Sequence, residues 1–270
     1  MYQYVETAVR ARPNWRSYVA LLRFHYHCSF IGVVLGALLV TREWSGSLAG
    51  RICLLYVSLT VLLYGGLYTL NAITDADADS RHPLKRTRPV ASGEISKKAA
   101  GVFAGGLIIA GFLSGWGWFG VEIIPVYVLF FVLNLSYSLC FRNLRVLDVF
   151  FNSATHPPRF WLGMWLTGGS FAWEWLVLVF LFAIGLSASR RSVDLSHGEW
   201  KSRRSLPKYS KSDLLTIKGV AFGLILLLWV VVQPTFQIPY IVTICTYLVS
   251  VGGIEFIPLI RAFFERIWLR

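Results

Sequence analysis

Three aspartates lie close together at the end of the second long apolar run of the chain. Asn71, Asp75 and Asp79 are spaced four residues apart, which places their side chains on one stripe of an α-helix, whereas Asp77 points elsewhere. Carboxylates one turn apart repel each other, so a bound cation is expected. Oxygen ligands of this kind suit Mg²⁺, which keeps waters and bridges to substrate phosphates. The spacing therefore predicts a metal site at Asp75 and Asp79.

A basic segment follows these aspartates directly. Its members are Arg81, His82, Lys85, Arg86 and Arg88. Cations beside carboxylates that hold Mg²⁺ predict a diphosphate site, in which positive charge stabilises a departing pyrophosphate. The alternative is a solvated polar loop at a membrane edge, whose basic residues serve only orientation.

A second charged segment covers residues 187–211. It begins with Arg190, Arg191 and Asp194, and Glu199 is the only other acid in it. A metal site built from several carboxylates does not fit this composition. Direct contacts from cations to phosphate fit better, since arginine offers bidentate geometry. The alternative is a positively charged loop that touches anionic lipid head groups.

Four further polar residues lie in or beside apolar runs. They are Tyr137, Arg142, Asp148 and Arg159. Ionisable groups within membrane spans are costly and are functional candidates by default, so these residues are predicted to line a cavity. An interfacial salt bridge is the alternative for Arg142 and Asp148, and a structural contact to a carbonyl or an acid is the alternative for Arg159. Two prolines precede Arg159 and are expected to break the helix there.

The overall composition predicts that these polar and charged residues belong to a membrane protein. Of the 270 residues 56% are hydrophobic and only 15% are charged, whereas soluble domains have about 25% charged residues. The net charge of +12 suggests nucleic acid as a rival partner. A nucleic-acid-binding domain would not be this apolar, so we expect a polytopic membrane protein that binds no nucleic acid.

The apolar runs predict an all-α transmembrane bundle of eight or nine spans. The predicted spans are 18–40, 52–72, 97–117, 121–140, 148–168, 172–189, 214–233 and 237–260, and 256–270 extends the last span, lies on the interface or forms a ninth. Most Lys and Arg residues fall on one side of this arrangement, which predicts that both termini and both long charged loops are cytoplasmic. One membrane domain, 1–270, is expected in the cell membrane.

The acidic segment resembles the first motif of the UbiA superfamily of intramembrane prenyltransferases. The similar residues are NxxxDxxxD, beginning at Asn71, followed by HPxKRxRPVASGxIS. The HPxKR form is similar to one branch of that superfamily, the decaprenyl-phosphate phosphoribosyltransferases. The family usually has an aspartate directly after the asparagine, and here Ala72 occupies that position, which removes one metal ligand if that aspartate binds metal.

The second charged segment resembles the same branch. That branch has K-R-x-x-E followed by R-x-x-L-x-x-Y; the residues that correspond here are Arg190, Arg191, Asp194, Arg203, Leu206 and Tyr209. Other members of the superfamily have a second acid-rich motif in this place. The family also usually has a tyrosine, a basic residue, an aspartate and an arginine near Tyr137, Arg142, Asp148 and Arg159.

The resemblance implies a UbiA-type fold and a specific reaction. The donor would be 5-phosphoribosyl 1-diphosphate, bound through Mg²⁺ on Asp75 and Asp79 with Lys85, Arg86 and Arg88 beside it. The acceptor would be a polyprenyl phosphate such as decaprenyl phosphate, held by cations that include Arg159, Arg190 and Arg191. Such a transfer supplies lipid-linked pentose for arabinan in cell walls.

Two other functions remain open. One is a Mg²⁺-dependent prenyltransferase that uses an isoprenyl diphosphate with an aromatic or other acceptor; the lack of a second acid-rich motif argues against it. The other is a non-catalytic lipid-binding protein, which Ala72 favours. Small residues at Gly101, Gly105, Gly106 and Gly111 pack helices within the chain or between subunits of a homo-oligomer, and packing within one chain is favoured.

Overall fold

The computed structural model describes residues 14–41, 44–81, 85–196, 208–232 and 237–268. Its α-helices are α1 (Trp15–Leu21), α2 (Ile31–Val40), α3 (Gly46–Leu55), α4 (Gly65–Asp79), α5 (Lys97–Phe119), α6 (Ile124–Ser136), α7 (Leu147–Ala154), α8 (His156–Leu166), α9 (Trp173–Ser196), α10 (Lys211–Val232), α11 (Gln237–Tyr247), α12 (Gly253–Phe256) and α13 (Pro258–Trp268). Short 3₁₀ segments lie at Phe24–Phe30, Lys85–Thr87 and Val121–Ile123, and π-helical segments at Tyr56–Tyr64, Tyr137–Phe141 and Leu248–Gly252.

The all-helical fold predicted from the sequence is confirmed. The described ranges contain no β-strand, and seven helical stretches in them are long and apolar enough to cross a membrane. The predicted span 148–168 is covered instead by α7 and α8, which are each too short to cross alone. The tail forms α13, a separate amphipathic helix of 11 residues with Leu259 and Phe263 exposed.

The break between α7 and α8 has a clear sequence cause. Helix α7 ends at Ala154, Thr155 follows, and α8 begins at His156 with prolines in its first turn. Proline is tolerated in a first helical turn but would disrupt a continuous helix, so the expected break occurs at Thr155, four residues before Arg159.

The contacts divide the chain into two compact units. The first consists of Met1–Cys28 and Leu55–Glu122, and the second of Ser29–Leu54 and Ile123–Arg270. The single domain predicted from the sequence stays a prediction.

The first unit positions the acidic helix. Helix α5 packs along the π-helical segment Tyr56–Tyr64 and along α4, while α1 contacts α4. Gly111 permits this close packing, since a Cβ there would lie 2.8 Å from the backbone nitrogen of Leu63. Residues 85–96 of the connection between α4 and α5 are anchored by Val90 and Ile95, which are buried in one cluster with Leu21 and Ala72.

The second unit contains a close helix crossing of α2 and α8. A Cβ on Gly36 would lie 2.0 Å from the carbonyl oxygen of Phe160, and one on Gly163 would lie 1.9 Å from that of Val33. Small residues allow membrane helices to approach to backbone contact, where van der Waals packing stabilises them. Glycine is therefore required at both positions.

A buried ion pair also holds the second unit together. Lys218 on α10 pairs with Glu255 on α12 and donates to the Ser192 Oγ on α9 at 3.0 Å. Lys218 is only 5% exposed. Its charge is satisfied within the bundle, as a charged group in a membrane span requires.

Candidate functional site

The carboxylate stripe of α4 has the geometry predicted from the sequence. Helix α4 is continuous from Gly65 to Asp79, so Asn71, Asp75 and Asp79 lie along one face. Asn71 and Asp75 are half-buried and Asp79 is buried. Asp77 is exposed and forms an ion pair with Lys97 at 2.8 Å. The helix thus presents Asp75 and Asp79 together and turns Asp77 away.

The basic segment after α4 meets this stripe through Arg88. Its Nη1 lies 2.7 Å from the Oδ2 of Asp79. The 3₁₀ turn Lys85–Thr87 positions it, since the Arg88 N–H donates to the Lys85 carbonyl oxygen at 3.0 Å. Lys85 is half-buried and Arg86 is exposed. His82, also predicted from the sequence, lies outside the described residues.

The donor set on α4 fits a magnesium ion. Among the described residues no three His, Cys, Asp or Glu side chains form a metal-holding group. Mg²⁺ does not need such a group, because it is commonly held by one or two carboxylates with water and substrate phosphate. Asp75 and Asp79 supply two hard oxygen ligands on one helix face.

Ala72 lies in an apolar environment. It is 6% exposed and belongs to the buried cluster of Leu21, Val90 and Ile95. This position follows Asn71 directly, where an aspartate was expected. The chain places a methyl group in the core there, so the carboxylates that this face of α4 presents are those of Asp75 and Asp79.

The second unit contains a buried charge network centred on Arg191. Its Nε lies 2.9 Å from Oδ2 of Asp148, its Nη1 3.3 Å from Oδ2 of Asp194, and its Nη2 3.3 Å from the hydroxyl of Tyr137. Arg191 is 2% exposed and Asp148 is fully buried. The network joins α7, α9 and the π-helical segment Tyr137–Phe141 by charge-assisted hydrogen bonds. A direct contact from Arg191 to phosphate would require it to release one of these partners.

Tyr209 completes this network. Its hydroxyl donates to Oδ1 of Asp148 and accepts a hydrogen bond from the backbone N–H of Val146 at 2.7 Å. Tyr209 lies outside the membrane-spanning helices, and burial together with the bond to Asp148 raises its pKa above the ordinary value. The phenol therefore stays protonated and keeps the carboxylate of Asp148 in place.

Arg142 lies one π-helical turn after Tyr137. The backbone N–H of Arg142 donates at 2.8 Å to the carbonyl oxygen of Tyr137, five residues earlier. A π turn brings residues five apart onto one face, and such turns are frequent at functional sites. Arg142 is half-buried. The sequence suggested both residues, but it gave no sign of the turn that aligns them.

The other two predicted arginines differ in their surroundings. Arg159 is 2% exposed, donates from Nη1 to the carbonyl oxygen of Thr155 at 2.9 Å, and places its Cζ 4.5 Å from the ring centroid of Phe130. These contacts match the structural alternative considered for it. Arg190 is half-buried on α9. Arg203, which was also predicted, lies outside the described residues.

Arg145 joins the same cluster and was not selected from the sequence. It forms an ion pair with Asp213 at 2.6 Å, and its guanidinium lies 6.0 Å from the ring centroid of Tyr209. Its sequence signal was weak, because a lone basic residue in a loop resembles any residue that sets membrane orientation.

The fold is that of the intramembrane prenyltransferases. A UbiA homologue from Archaeoglobus fulgidus bound to GPP and Mg²⁺ superposes with a TM-score of 0.75 at 17% identity, covering 94% of this chain and 95% of that one. The same homologue bound to DMAPP and Mg²⁺ gives 0.74 at 16% identity, covering 94% and 98%. In that homologue Mg²⁺ is bound together with GPP or DMAPP.

The chain belongs to the UbiA prenyltransferase family, whose model matches residues 29–259. Its relatives include two proteins named decaprenyl-phosphate phosphoribosyltransferase. The one from Mycolicibacterium smegmatis is 29% identical over 57% of this chain and 49% of its own length. The one from Mycobacterium tuberculosis (strain H37Rv) is 25% identical over 71% of this chain and 68% of its own length. The first match therefore spans about half of that relative. The resemblance found in the motifs is confirmed.

Proposed function

We propose that this membrane protein transfers a 5-phosphoribosyl group from 5-phosphoribosyl 1-diphosphate to a polyprenyl phosphate and releases diphosphate. The names of the phosphoribosyltransferase relatives support this substrate pair. The strongest structural support is the pairing of Asp194 with Arg191 at 3.3 Å. This pairing engages the acid at the end of α9, which supports direct contacts from neighbouring cations such as Arg190 to phosphate rather than a second carboxylate-bound metal.

The donor's diphosphate is assigned to the first unit. Asp75 and Asp79 would hold Mg²⁺, which when bound supplies positive charge that stabilises the leaving diphosphate. Arg88 lies 2.7 Å from Asp79 and is placed to screen the negative charge of the leaving diphosphate as well. Lys85 and Arg86 lie in the 3₁₀ turn directly before Arg88 and would add positive charge for the diphosphate oxygens.

The lipid phosphate is assigned to cations of the second unit. We propose that two residues contact this phosphate directly. They are Arg142, one π-helical turn after Tyr137, and Arg190 on α9. Arg191 acts as a positioning residue, because its nitrogens already hold Asp148, Asp194 and Tyr137. Arg159 is assigned the same kind of role, since it is held by Thr155.

The chemistry needs no strong general base. An oxygen of the lipid phosphate is already an anion near neutral pH and attacks C1 of the ribose. The bond from C1 to the diphosphate oxygen breaks as the new C1–O bond forms, and the electron pair leaves with diphosphate. Positive charge develops on the ribose, as in glycosyl transfer generally. The carboxylate of Asp75 or Asp79 would stabilise that charge.

The orientation of the protein in the membrane is assigned from the distribution of its Lys and Arg residues. Seven apolar helical stretches mark a multi-pass membrane protein. Most Lys and Arg residues lie in segments that fall on one side, so we assign both termini and the two charged loops to the cytoplasmic face of the cell membrane. The phosphorylated donor is water-soluble and would reach the site from that face.

A prenyltransferase that uses an isoprenyl diphosphate is the second candidate. Solved structures of the same fold contain GPP or DMAPP with Mg²⁺, at 16–17% identity. The stripe on α4 suits either kind of diphosphate. The candidates differ at the end of α9, where Asp194 is paired with Arg191.

A transfer assay separates these functions. Purified protein in lipid nanodiscs would receive ribose-labelled 5-phosphoribosyl 1-diphosphate, a short polyprenyl phosphate and Mg²⁺. The proposal predicts labelled lipid that disappears when the metal is chelated. A prenylated aromatic formed from an isoprenyl diphosphate, with no labelled lipid, would support the second candidate. If neither product forms, and Asp75→Ala leaves cellular function intact, the non-catalytic alternative gains support.

A further inference from the structure

Arg23 adopts a backbone conformation that arginine rarely takes. Its φ is 52°, in the left-handed region, directly after the end of α1. Glycine is the usual residue there, because a side chain crowds the following carbonyl. The neighbouring backbone fixes the conformation, since the Tyr26 N–H donates to the Arg23 carbonyl oxygen at 2.9 Å. Strained residues that persist in this way are concentrated at ligand sites.

The guanidinium of Arg23 is incompletely satisfied. Its Nη2 is shielded from solvent and has no hydrogen-bond partner among the described residues. Its Cζ lies 5.9 Å from the ring centroid of Tyr68, on which Tyr26 stacks at 5.3 Å. Buried polar atoms are nearly always hydrogen-bonded, so a shielded nitrogen of this kind requires an explanation. An acceptor oxygen supplied by a ligand provides one.

The charges around Arg23 indicate what kind of ligand this is. Tyr68, against which Arg23 lies, is seven residues before Asp75 on α4 and so is on the same helix face. Arg88 reaches this stripe as well, since it is bound to Asp79 at 2.7 Å. A ligand with several negative charges suits a helix face that two guanidinium groups approach. A phosphate group also matches the forked geometry of arginine.

We infer that Arg23 is a phosphate-binding residue of the first unit, which joins Asp75 and Arg88 in holding the donor's diphosphate. The inference rests on the function proposed above. The 5-phosphate of the ribose and the phosphate of the lipid have the same chemistry, and a binding experiment separates these sources.

Binding of three probes to the purified full-length protein tests the inference. The probes are inorganic diphosphate with Mg²⁺, ribose 5-phosphate and a short-chain polyprenyl phosphate, measured by calorimetry in nanodiscs. Arg23→Gln is expected to weaken diphosphate binding about 10- to 100-fold, the loss typical of a charge-assisted hydrogen bond. Arg16→Gln is the matched control, because Arg16 is an exposed arginine on α1, and it should leave all three affinities unchanged.

Arg23→Gly distinguishes a binding role from a structural one. Glycine accepts the left-handed conformation without crowding, so the variant should melt no lower than the wild type while losing phosphate affinity. Loss confined to ribose 5-phosphate or to the polyprenyl phosphate would overturn the assignment of Arg23 to the donor's diphosphate and would identify the phosphate that it binds. Unchanged affinity for all three probes in Arg23→Gln and Arg23→Gly overturns the inference.

The expected dependence of diphosphate binding on Arg23 is the same for either donor. If the transfer assay gives prenylation instead, diphosphate binding should still require Arg23. If phosphoribosyl transfer is found but binding is independent of Arg23, only this inference fails.

Discussion

Arg191 and Asp148 form a buried ion pair in which the Nε–Oδ2 distance is 2.9 Å and neither side chain is more than 2% exposed. The two residues lie 43 positions apart and connect α9 to α7. Burial of both charges is costly, so the pair is stable only because Asp194, Tyr137 and Tyr209 satisfy the remaining hydrogen-bonding groups. Removal of one charge should therefore be far worse than removal of Arg191, Asp148 and Asp194 together.

Asp148→Asn should destabilise the protein strongly. It leaves Arg191 buried with one carboxylate fewer, a change that costs about 3–5 kcal/mol and lowers the melting temperature by roughly 10 °C. The melting temperature in detergent measures this. Asp77→Asn is the control, because the ion pair of Asp77 with Lys97 is exposed. Its melting temperature should equal that of the wild type. Equal melting of both variants would contradict the stabilising role of the buried network.

Replacement of all three charges tests the same network in the opposite direction. Asp148→Leu with Arg191→Met and Asp194→Asn should recover part of the stability that Asp148→Asn loses, since none of the three buried charges remains without a partner. Activity should not return, because Tyr137 and Tyr209 lose the groups that orient them. Recovery of both stability and transfer would show that the network has no positioning role.

Tyr209→Phe should destabilise the protein in a pH-dependent way. The variant loses the bond to Asp148 and the acceptor for Val146 N–H, at a cost of about 1–3 kcal/mol. Burial raises the pKa of Tyr209, so its stabilising contribution is complete below about pH 10 and is lost as pH rises through the raised value. Melting curves of both proteins from pH 7 to 11 should show a difference in stability that begins to narrow above about pH 10. A constant difference across that range would argue against a protonated phenol as the donor.

Gly36→Ala should disrupt the crossing of α2 and α8. The new Cβ would lie 2.0 Å from the carbonyl oxygen of Phe160, so the helices must separate. Overpacking of this kind costs about 1–3 kcal/mol or more, which a melting curve detects. Gly105→Ala is the matched control, because a Cβ there meets nothing within 4 Å. That variant should be at least as stable as the wild type, because alanine favours a helix more than glycine does, and equal loss from both would contradict the role of the close crossing.

Asp75→Asn and Asp79→Asn should reduce phosphoribosyl transfer on the order of 10²–10³-fold, the effect of losing one electrostatic contact to the transition state. Asp77→Asn should stay within about twofold, since Asp77 points away from the stripe and pairs with Lys97. Rates measured against Mg²⁺ concentration check this, because the two stripe variants should also need more metal. Equal effects at all three positions would contradict the assignment of the metal to one helix face.

Local periodicity predicted much of the first unit's site. Asn71, Asp75 and Asp79 were placed on one face because i, i+4 spacing fixes direction within a helix, and α4 has that arrangement. The break before Arg159 followed from two prolines in the same way. Membrane-spanning segments followed from apolar length, except where α7 and α8 replace one predicted span.

The tertiary contacts of the sites could not be predicted in this way. Tyr209 and Asp148 are 61 residues apart, and no spacing rule links them. The left-handed backbone of Arg23 is set by the turn after α1, and the π turn at Tyr137–Phe141 depends on packing rather than on local pattern. Residue types therefore indicated which groups act, whereas the fold determines which of them meet.

Competition between the two donors tests the central claim most directly. One reaction would contain the purified protein, Mg²⁺, a short polyprenyl phosphate and an aromatic acceptor, with equal 5-phosphoribosyl 1-diphosphate and geranyl diphosphate, and mass spectrometry would identify the products. The account predicts polyprenyl phosphoryl-5-phosphoribose that is lost in Asp75→Asn and retained in Asp77→Asn. A prenylated aromatic as the only product would contradict it.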